Sequence, residues 1–295
     1  MSCDHNHSSL FSEKNRLLTS ILIATLFTLV ELTGGFLSNS LALLSDALHL
    51  FSDVGALVLG LLVLRYAEKP ASHTKTYGYA RAEALGALLS GLFLWGLMGY
   101  LIYESVLRFF SPESVQGSIV VITSLIALIA NGLMLKLLHG DSFSLTTKAA
   151  YLHVVSDLLG SIGVLANGLI IRTTGWYRID PILSFFIAFV IIRSTYHTIA
   201  SAIHILMEGA PKNLCTKKIL STLNDLPSVE GVHDLHVWCI SSKKSCLSAH
   251  LVTEEDPFHL IERATALLKQ QFSIDHITLQ IEHPQASSCK PLRKE

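Results

Sequence analysis

The stretch Ser40-Leu-Ala-Leu-Leu-Ser-Asp46-Ala-Leu-His49-Leu-Phe-Ser-Asp53-Val-Gly-Ala56 carries three acidic or imidazole side chains inside an apolar run that continues to Leu64. A run of that length can cross a bilayer as a helix. An Asp at the centre of such a helix costs about 2.5–3.5 kcal/mol on insertion scales, so these side chains mark function rather than packing. His49 and Asp53 are four residues apart and therefore share one helix face, one turn from each other. The same spacing returns in a later apolar segment as His153-Val-Val-Ser-Asp157. Two such pairs on two membrane helices offer two imidazoles and two carboxylates, a tetrahedral donor set that suits Zn²⁺.

Around that stretch the chain reads as a membrane protein. Half of its 295 residues are apolar, only 15% are charged and the mean hydropathy is +0.48, which is too apolar for a soluble domain. A net charge of −1, with no basic tract interleaved with aromatics, excludes nucleic-acid binding. Cys3, Cys215, Cys239, Cys246 and Cys289 form no Cys-x-x-Cys and no secreted-scaffold spacing, so no disulfide framework is expected.

In order, residues 1–16 form a polar tail, and the apolar run from Leu17 is too long for a signal peptide, so it reads as a retained helix. Six membrane helices are expected at 17–37, 41–64, 84–107, 117–138, 147–171 and 179–204, with 17–207 as the transmembrane domain. One set of links carries Lys14, Arg16, Arg65, Lys69, Lys75, Arg81, Lys136 and Lys148, and the other Arg108, Arg172 and Arg178. The positive-inside rule puts both termini in the cytoplasm. At 1.5 Å per residue in a core about 30 Å thick, His49–Asp53 and His153–Asp157 both fall near the midplane. Antiparallel helices then set His49 level with Asp157 and Asp53 level with His153. Asp46, one turn from His49, reads as a vestibule or supporting group, and Glu31 and Asn131 as helix–helix hydrogen-bonding residues.

From Glu208-Gly-Ala-Pro211 the composition turns polar. A helix is expected at 215–226, strands at 229–240 and 246–253 joined by a turn over 241–245, a helix from Asp256-Pro257 to about 271, and a strand at 276–282. That order predicts a small α+β cytoplasmic domain over 208–284, followed by a polar tail over 285–295. A domain of this size is marginal alone, which favours dimerisation. Strand alternation would put His233 on the face opposite His236 and Trp238.

Six helices, Ser40-Leu-Ala-Leu-Leu-x-Asp-Ala-x-His49-x-x-x-Asp53, Tyr77-Gly-Tyr-x-Arg-Ala-Glu83, His153-x-x-x-Asp157 and His233-Asp-Leu-His236-Val-Trp238 resemble the cation diffusion facilitators, most closely their zinc-transporting branch, from about residue 16 to 284. The resemblance implies a homodimeric zinc–proton antiporter with a ferredoxin-like cytoplasmic domain. His49, Asp53, His153 and Asp157 would form the transport site, with His at the first position associated with zinc over cadmium. It makes His233, His250 and Glu282 candidate zinc ligands of the cytoplasmic domain. Zn²⁺ would be the substrate, and also a structural or regulatory ligand there, with protons as counter-ion. Relatives often carry a His where this chain has Ala80, which argues against a metal site between membrane and cytoplasmic parts built with His276 or His73. The link over 139–144 holds one His rather than a His-rich run. The tail residues Cys3, His5 and His7 could reach a neighbouring subunit's site, and Cys289 has no assigned role.

The expected function is thus proton-coupled efflux of Zn²⁺ from the cytoplasm, in a bacterial inner membrane. The alternatives are a membrane-anchored zinc sensor, which has no use for midplane ligands, and an intramembrane metalloenzyme, for which no His-Glu-x-x-His is present.

Overall fold

A computed structural model describes residues 25–67, 71–138, 145–242 and 244–284. The helices are α1 (Thr25–Ser38, its described part), α2 (Leu41–Ala67), α3 (Ala82–Phe110), α4 (Gly117–Leu138), α5 (Leu145–Thr174) and α6 (Ile179–Leu206). Then come α7 (Thr216–Asn224), β1 (Gly231–Ser241), β2 (Lys244–Val252), α8 (Pro257–Phe272) and β3 (His276–Glu282). Among the described residues four helices are long and apolar enough to cross a membrane, within α3, α4, α5 and α6. The described part of α1 is apolar but shorter. The chain packs as two compact units, the first drawn from residues 1–59 and 89–197 and the second from 60–88 and 198–295.

In the first unit one apolar cluster joins Leu41 to Leu94, Met98, Leu101, Ala188 and Ile191. A second gathers Leu43, Val115, Val120, Val164 and Ile171. Helices α4 and α5 approach closely because small residues line their contact. A Cβ on Gly117 would stand 2.9 Å from the backbone of Arg172 and of Gly168, and one on Gly168 would meet Val120 at the same distance. Asn131 Nδ2 donates to Ser161 Oγ at 3.1 Å, so the expected helix–helix hydrogen bond of Asn131 is present between α4 and α5.

The break between α1 and α2 is a left-handed residue, Asn39 (φ 56°). Ser40 then acts as the N-cap of α2, its Oγ accepting from the Leu43 N–H at 3.2 Å. A second cap comes from far along the chain. The Asp180 carboxylate, at the start of α6 and fully buried, accepts from the Leu41 N–H at 2.7 Å and from Ser40 Oγ at 2.5 Å.

In the second unit the sheet order is β1-β2-β3, with β1 antiparallel and β2–β3 parallel. Helices α7 and α8 cover one face, burying Ile219, Leu223, Leu247, Leu251, Leu260 and Leu268. Helix α8 starts at Asp256-Pro257 as expected, with Pro at its first position, although Asp256 makes no side-chain capping bond. The expected turn over 241–245 is shorter, because Ser241, Lys244 and Ser245 belong to the strands.

One expectation for this sheet fails. His233 pairs with His250 while His236 pairs with Ser248, so β1 gains one residue over β2 between them. Asp234 takes up the excess in the left-handed region (φ 50°), which makes a β-bulge. The cause is the core, since Val232, Leu235 and Val237 all pack on the helix-covered side. His233, His236 and Trp238 therefore share the opposite, helix-free face with Ser248 and His250, and simple alternation misplaces His236 and Trp238.

Candidate metal centres

The first centre lies between α2 and α5. His49 and Asp53 project together from α2, with His49 Nε2 3.7 Å from Asp53 Oδ2. The same nitrogen is 4.0 Å from Asp157 Oδ1 on α5. Donor atoms at the corners of a tetrahedron around Zn²⁺, each about 2.0–2.1 Å from the ion, are about 3.3 Å apart. His49 Nε2 thus stands only slightly farther from each of the two carboxylates than a bound ion would set it. His49 lies level with Asp157, as the antiparallel arrangement requires. The side chain of His153, one turn before Asp157 on α5, is outside the described residues. The four positions are on two helices, and the His49 imidazole approaches a carboxylate on each of them.

Two further carboxylates adjoin the centre. Asp46, one turn from His49, is buried and turns toward α5, where its Oδ1 is 3.3 Å from the place a Cβ on Gly160 would occupy. Glycine at 160 leaves that space open. Glu31 of α1 is fully buried, and neither carboxylate oxygen has a hydrogen-bond partner among the described residues. Among the described residues, the expected helix–helix hydrogen bond of Glu31 is therefore not formed. The charged groups acting on it are the carboxylates of Asp46 and Asp157. The result is an acid-rich site whose only described basic partner is His49, a field that draws in cations.

The second centre is on the helix-free face of the sheet. His233 Nε2 is 3.2 Å from Glu282 Oε2, and His250 Nδ1 is 2.8 Å from Glu282 Oε1. The imidazoles meet edge to face at 5.0 Å, and one ligand atom from each of the three residues lies within 4.8 Å of the others. Strand pairing brings them together, because His233 is opposite His250 and Glu282 is opposite Val252 on the neighbouring strand. Two imidazoles and a carboxylate, all under one-quarter exposed, fit a borderline-soft divalent ion. The bulge adds what alternation could not foresee. Asp234 reaches His250 Nε2 at 3.8 Å through one oxygen and His236 Nε2 at 3.0 Å through the other.

Among the described residues this trio is the one group whose ligand atoms all lie within 4.8 Å of one another. His276 meets the ring of Tyr77 edge-on at 6.0 Å, and His73 is exposed. Cys3, His5, His7, Cys289 and the link over 139–144 lie outside the described residues.

The profile of the cation efflux transmembrane domain matches residues 17–207, and that of the cation efflux cytoplasmic domain matches residues 211–284. The chain belongs to the cation efflux family. It is similar to a cadmium, cobalt and zinc/H⁺–K⁺ antiporter of Bacillus subtilis, at 38% identity over 97% of this chain and 96% of the relative. It is also similar to the zinc transporter ZitB of Escherichia coli, at 34% identity over 96% and 93% of the two chains. The metal-bound C-terminal domain of a CzcD transporter aligns at 28% identity over 23% of this chain and 99% of its own, with a TM-score of 0.22. This cation efflux protein is a transporter with an α-helical membrane domain and a cytoplasmic α+β domain, and it is not an enzyme. The metalloenzyme and anchored-sensor alternatives are set aside.

Proposed function

We propose that the protein exports Zn²⁺ from the cytoplasm in exchange for protons, as a homodimer in a bacterial inner membrane with both termini cytoplasmic. His49, Asp53, His153 and Asp157 would be the transport ligands within a membrane domain of 17–207. The observation that carries this reading is one imidazole standing between two carboxylates of different apolar helices, at 3.7 and 4.0 Å. Buried carboxylates in a membrane need a compensating cation. A dication with a neutral imidazole and two carboxylates cancels their charge.

Coupling follows from the same atoms. Metal binds the ionised carboxylates and the unprotonated imidazole nitrogens, so a proton at any of them competes with the ion. A site that opens to the cytoplasm loads Zn²⁺ and sheds protons; opening to the other side, it takes protons and releases the ion. Rocking of helices around a fixed midplane site would provide the two exposures. The names of the relatives support zinc as substrate and a proton as one counter-ion.

We further propose that His233, His250 and Glu282 bind a divalent ion in the cytoplasmic domain of 208–284. A ligand held by one geometry stabilises that geometry in proportion to its differential affinity. The decisive test of the main reading is flux of zinc, cadmium, cobalt and magnesium into proteoliposomes with and without an imposed pH gradient. Zinc flux driven by the gradient, with none for magnesium, is expected. Gradient-independent flux would remove the antiport.

A further inference from the structure

A carboxylate with no part in metal binding joins the two helices that carry the transport site. Asp180, at the start of α6, is fully buried. It accepts from Ser40 Oγ at 2.5 Å and the Leu41 N–H at 2.7 Å, both at the start of α2. It also accepts from Asn167 Nδ2 on α5 at 2.7 Å. Asn167 is itself buried. One side chain thus caps α2 and holds α5 through the same oxygen that receives the Ser40 hydroxyl.

We propose that Asp180 and Asn167 are positioning residues that fix the register of α2 against α5, and so set the spacing of His49 and Asp53 from Asp157. The inference rests on the transport-site reading above. Along α2, His49 is eight residues from Leu41, about 12 Å at 1.5 Å per residue. Along α5, Asp157 is ten residues from Asn167, about 15 Å. Two antiparallel helices tied at one end by a single carboxylate bring those residues level, which is where His49 and Asp157 meet at 4.0 Å. Between the clamp and the site, Asp46 Oδ1 lies 3.3 Å from the place a Cβ on Gly160 would occupy. A helix moves along its axis nearly as a rigid rod, so slack at the clamp passes to the site with little loss. A shift of about 1 Å in ligand placement can cost on the order of a hundredfold in function.

The neighbouring hydrogen bond between Ser45 Oγ and Ser184 Oγ, 2.8 Å long and equally buried, is a built-in control. It joins α2 to α6 but leaves α5 out. A general loss of polar packing would follow from either deletion, whereas loss of α2–α5 register follows only from breaking the clamp.

The test measures zinc flux in proteoliposomes made with the full-length dimer, across a range of zinc concentrations. Asn167→Ala removes the α5 arm and leaves the α2 cap in place. Its half-saturating zinc concentration should rise about tenfold, with less than a twofold change at saturating zinc. Ser184→Ala should stay within twofold on both measures. The exchange Asp180→Asn with Asn167→Asp, which returns a carboxylate–amide pair to the same place from opposite helices, should restore the half-saturating concentration to within about threefold. An unchanged half-saturating value in Asn167→Ala, or an equal rise in Ser184→Ala, overturns the clamp. If Asn167→Ala does not fold, the exchange variant decides, and a large rise there overturns the clamp as well. Asp157→Asn, run alongside, separates the two readings. If it is inactive while Asn167→Ala is normal, only the clamp fails; if it is active, the transport site fails first.

Discussion

Replacing Asp157 with Asn leaves the shape of the side chain nearly unchanged and removes one charge from the transport site. With Asp53, Asp157 and the neutral imidazoles around Zn²⁺, the loaded site has no net charge; with Asn it carries one positive charge. The site lies on apolar helices, and the Asp157 side chain is only 10% exposed, so water does little to screen that charge. One uncompensated charge at membrane depth costs about 3 kcal/mol on insertion scales. At 1.4 kcal/mol per decade, zinc affinity should fall by about a hundredfold. The exchange of a carboxylate for an amide oxygen, a weaker donor, adds to that loss.

The assay is zinc uptake into proteoliposomes under a pH gradient, read with an entrapped zinc-sensitive dye and scaled to dimer recovered by size exclusion. At zinc concentrations near the wild-type half-saturation point, flux should fall to about 2% of wild type. High zinc should restore part of it if affinity is what was lost. Flux within twofold of wild type from a folded dimer would refute the assignment. A loss of only a few-fold would mean that Asp46 or Glu31 supplies the missing charge, and the triple charge balance above would be wrong.

His49→Asp should raise cadmium transport relative to zinc, because a third carboxylate can bind bidentately and wrap a larger ion; an unchanged flux ratio counts against it. His233→Ala with His250→Ala, in an Asp157→Asn background, should abolish the zinc-induced rise in melting temperature of the full-length protein. Binding at a hundred times Kd contributes about 2.7 kcal/mol to the parent, and an equal rise in both proteins places the ligands elsewhere. Burial pushes the thiols of Cys239 and Cys246 up from the ordinary value; the Asp275 carboxylate pushes Cys246 further up, and Arg81 pulls it partly back down. Their ionisation then lags that of an unfolded thiol, so stability is full below the ordinary thiol value and declines as pH rises toward the raised one. Replacing both with Ala should flatten this alkaline decline in a pH series of chemical denaturation, and an unchanged slope would refute it.

What the sequence discloses and what it hides divide along the range of the interactions. The helices and strands are legible because each is a local pattern: α4 begins and ends where its apolar run does, and β3 alternates Ile277, Leu279 and Ile281 toward the core. The pairing of His49 with Asp157 is also legible, because helical rise fixes depth and the two ends of the membrane fix the origin. The bulge was there to be read, since Val232, Leu235 and Val237 step by three and then by two, a break in period that only an inserted residue can reconcile with one covered face. Asp180 gives no such sign. It stands at a helix start where an acidic residue is ordinary, and its partners at Ser40 and Asn167 are 140 and 13 residues away. Glu31 misleads for the opposite reason. A lone carboxylate on an apolar helix suggests a donor on its neighbour, yet this one faces other acids. Both cases follow from burial. In water each carboxylate could have found its own partner, but within apolar helices its effect depends on which other charges the fold brings near. The ligands can be found by spacing, whereas the residues that hold them in place can be found only from the packed structure.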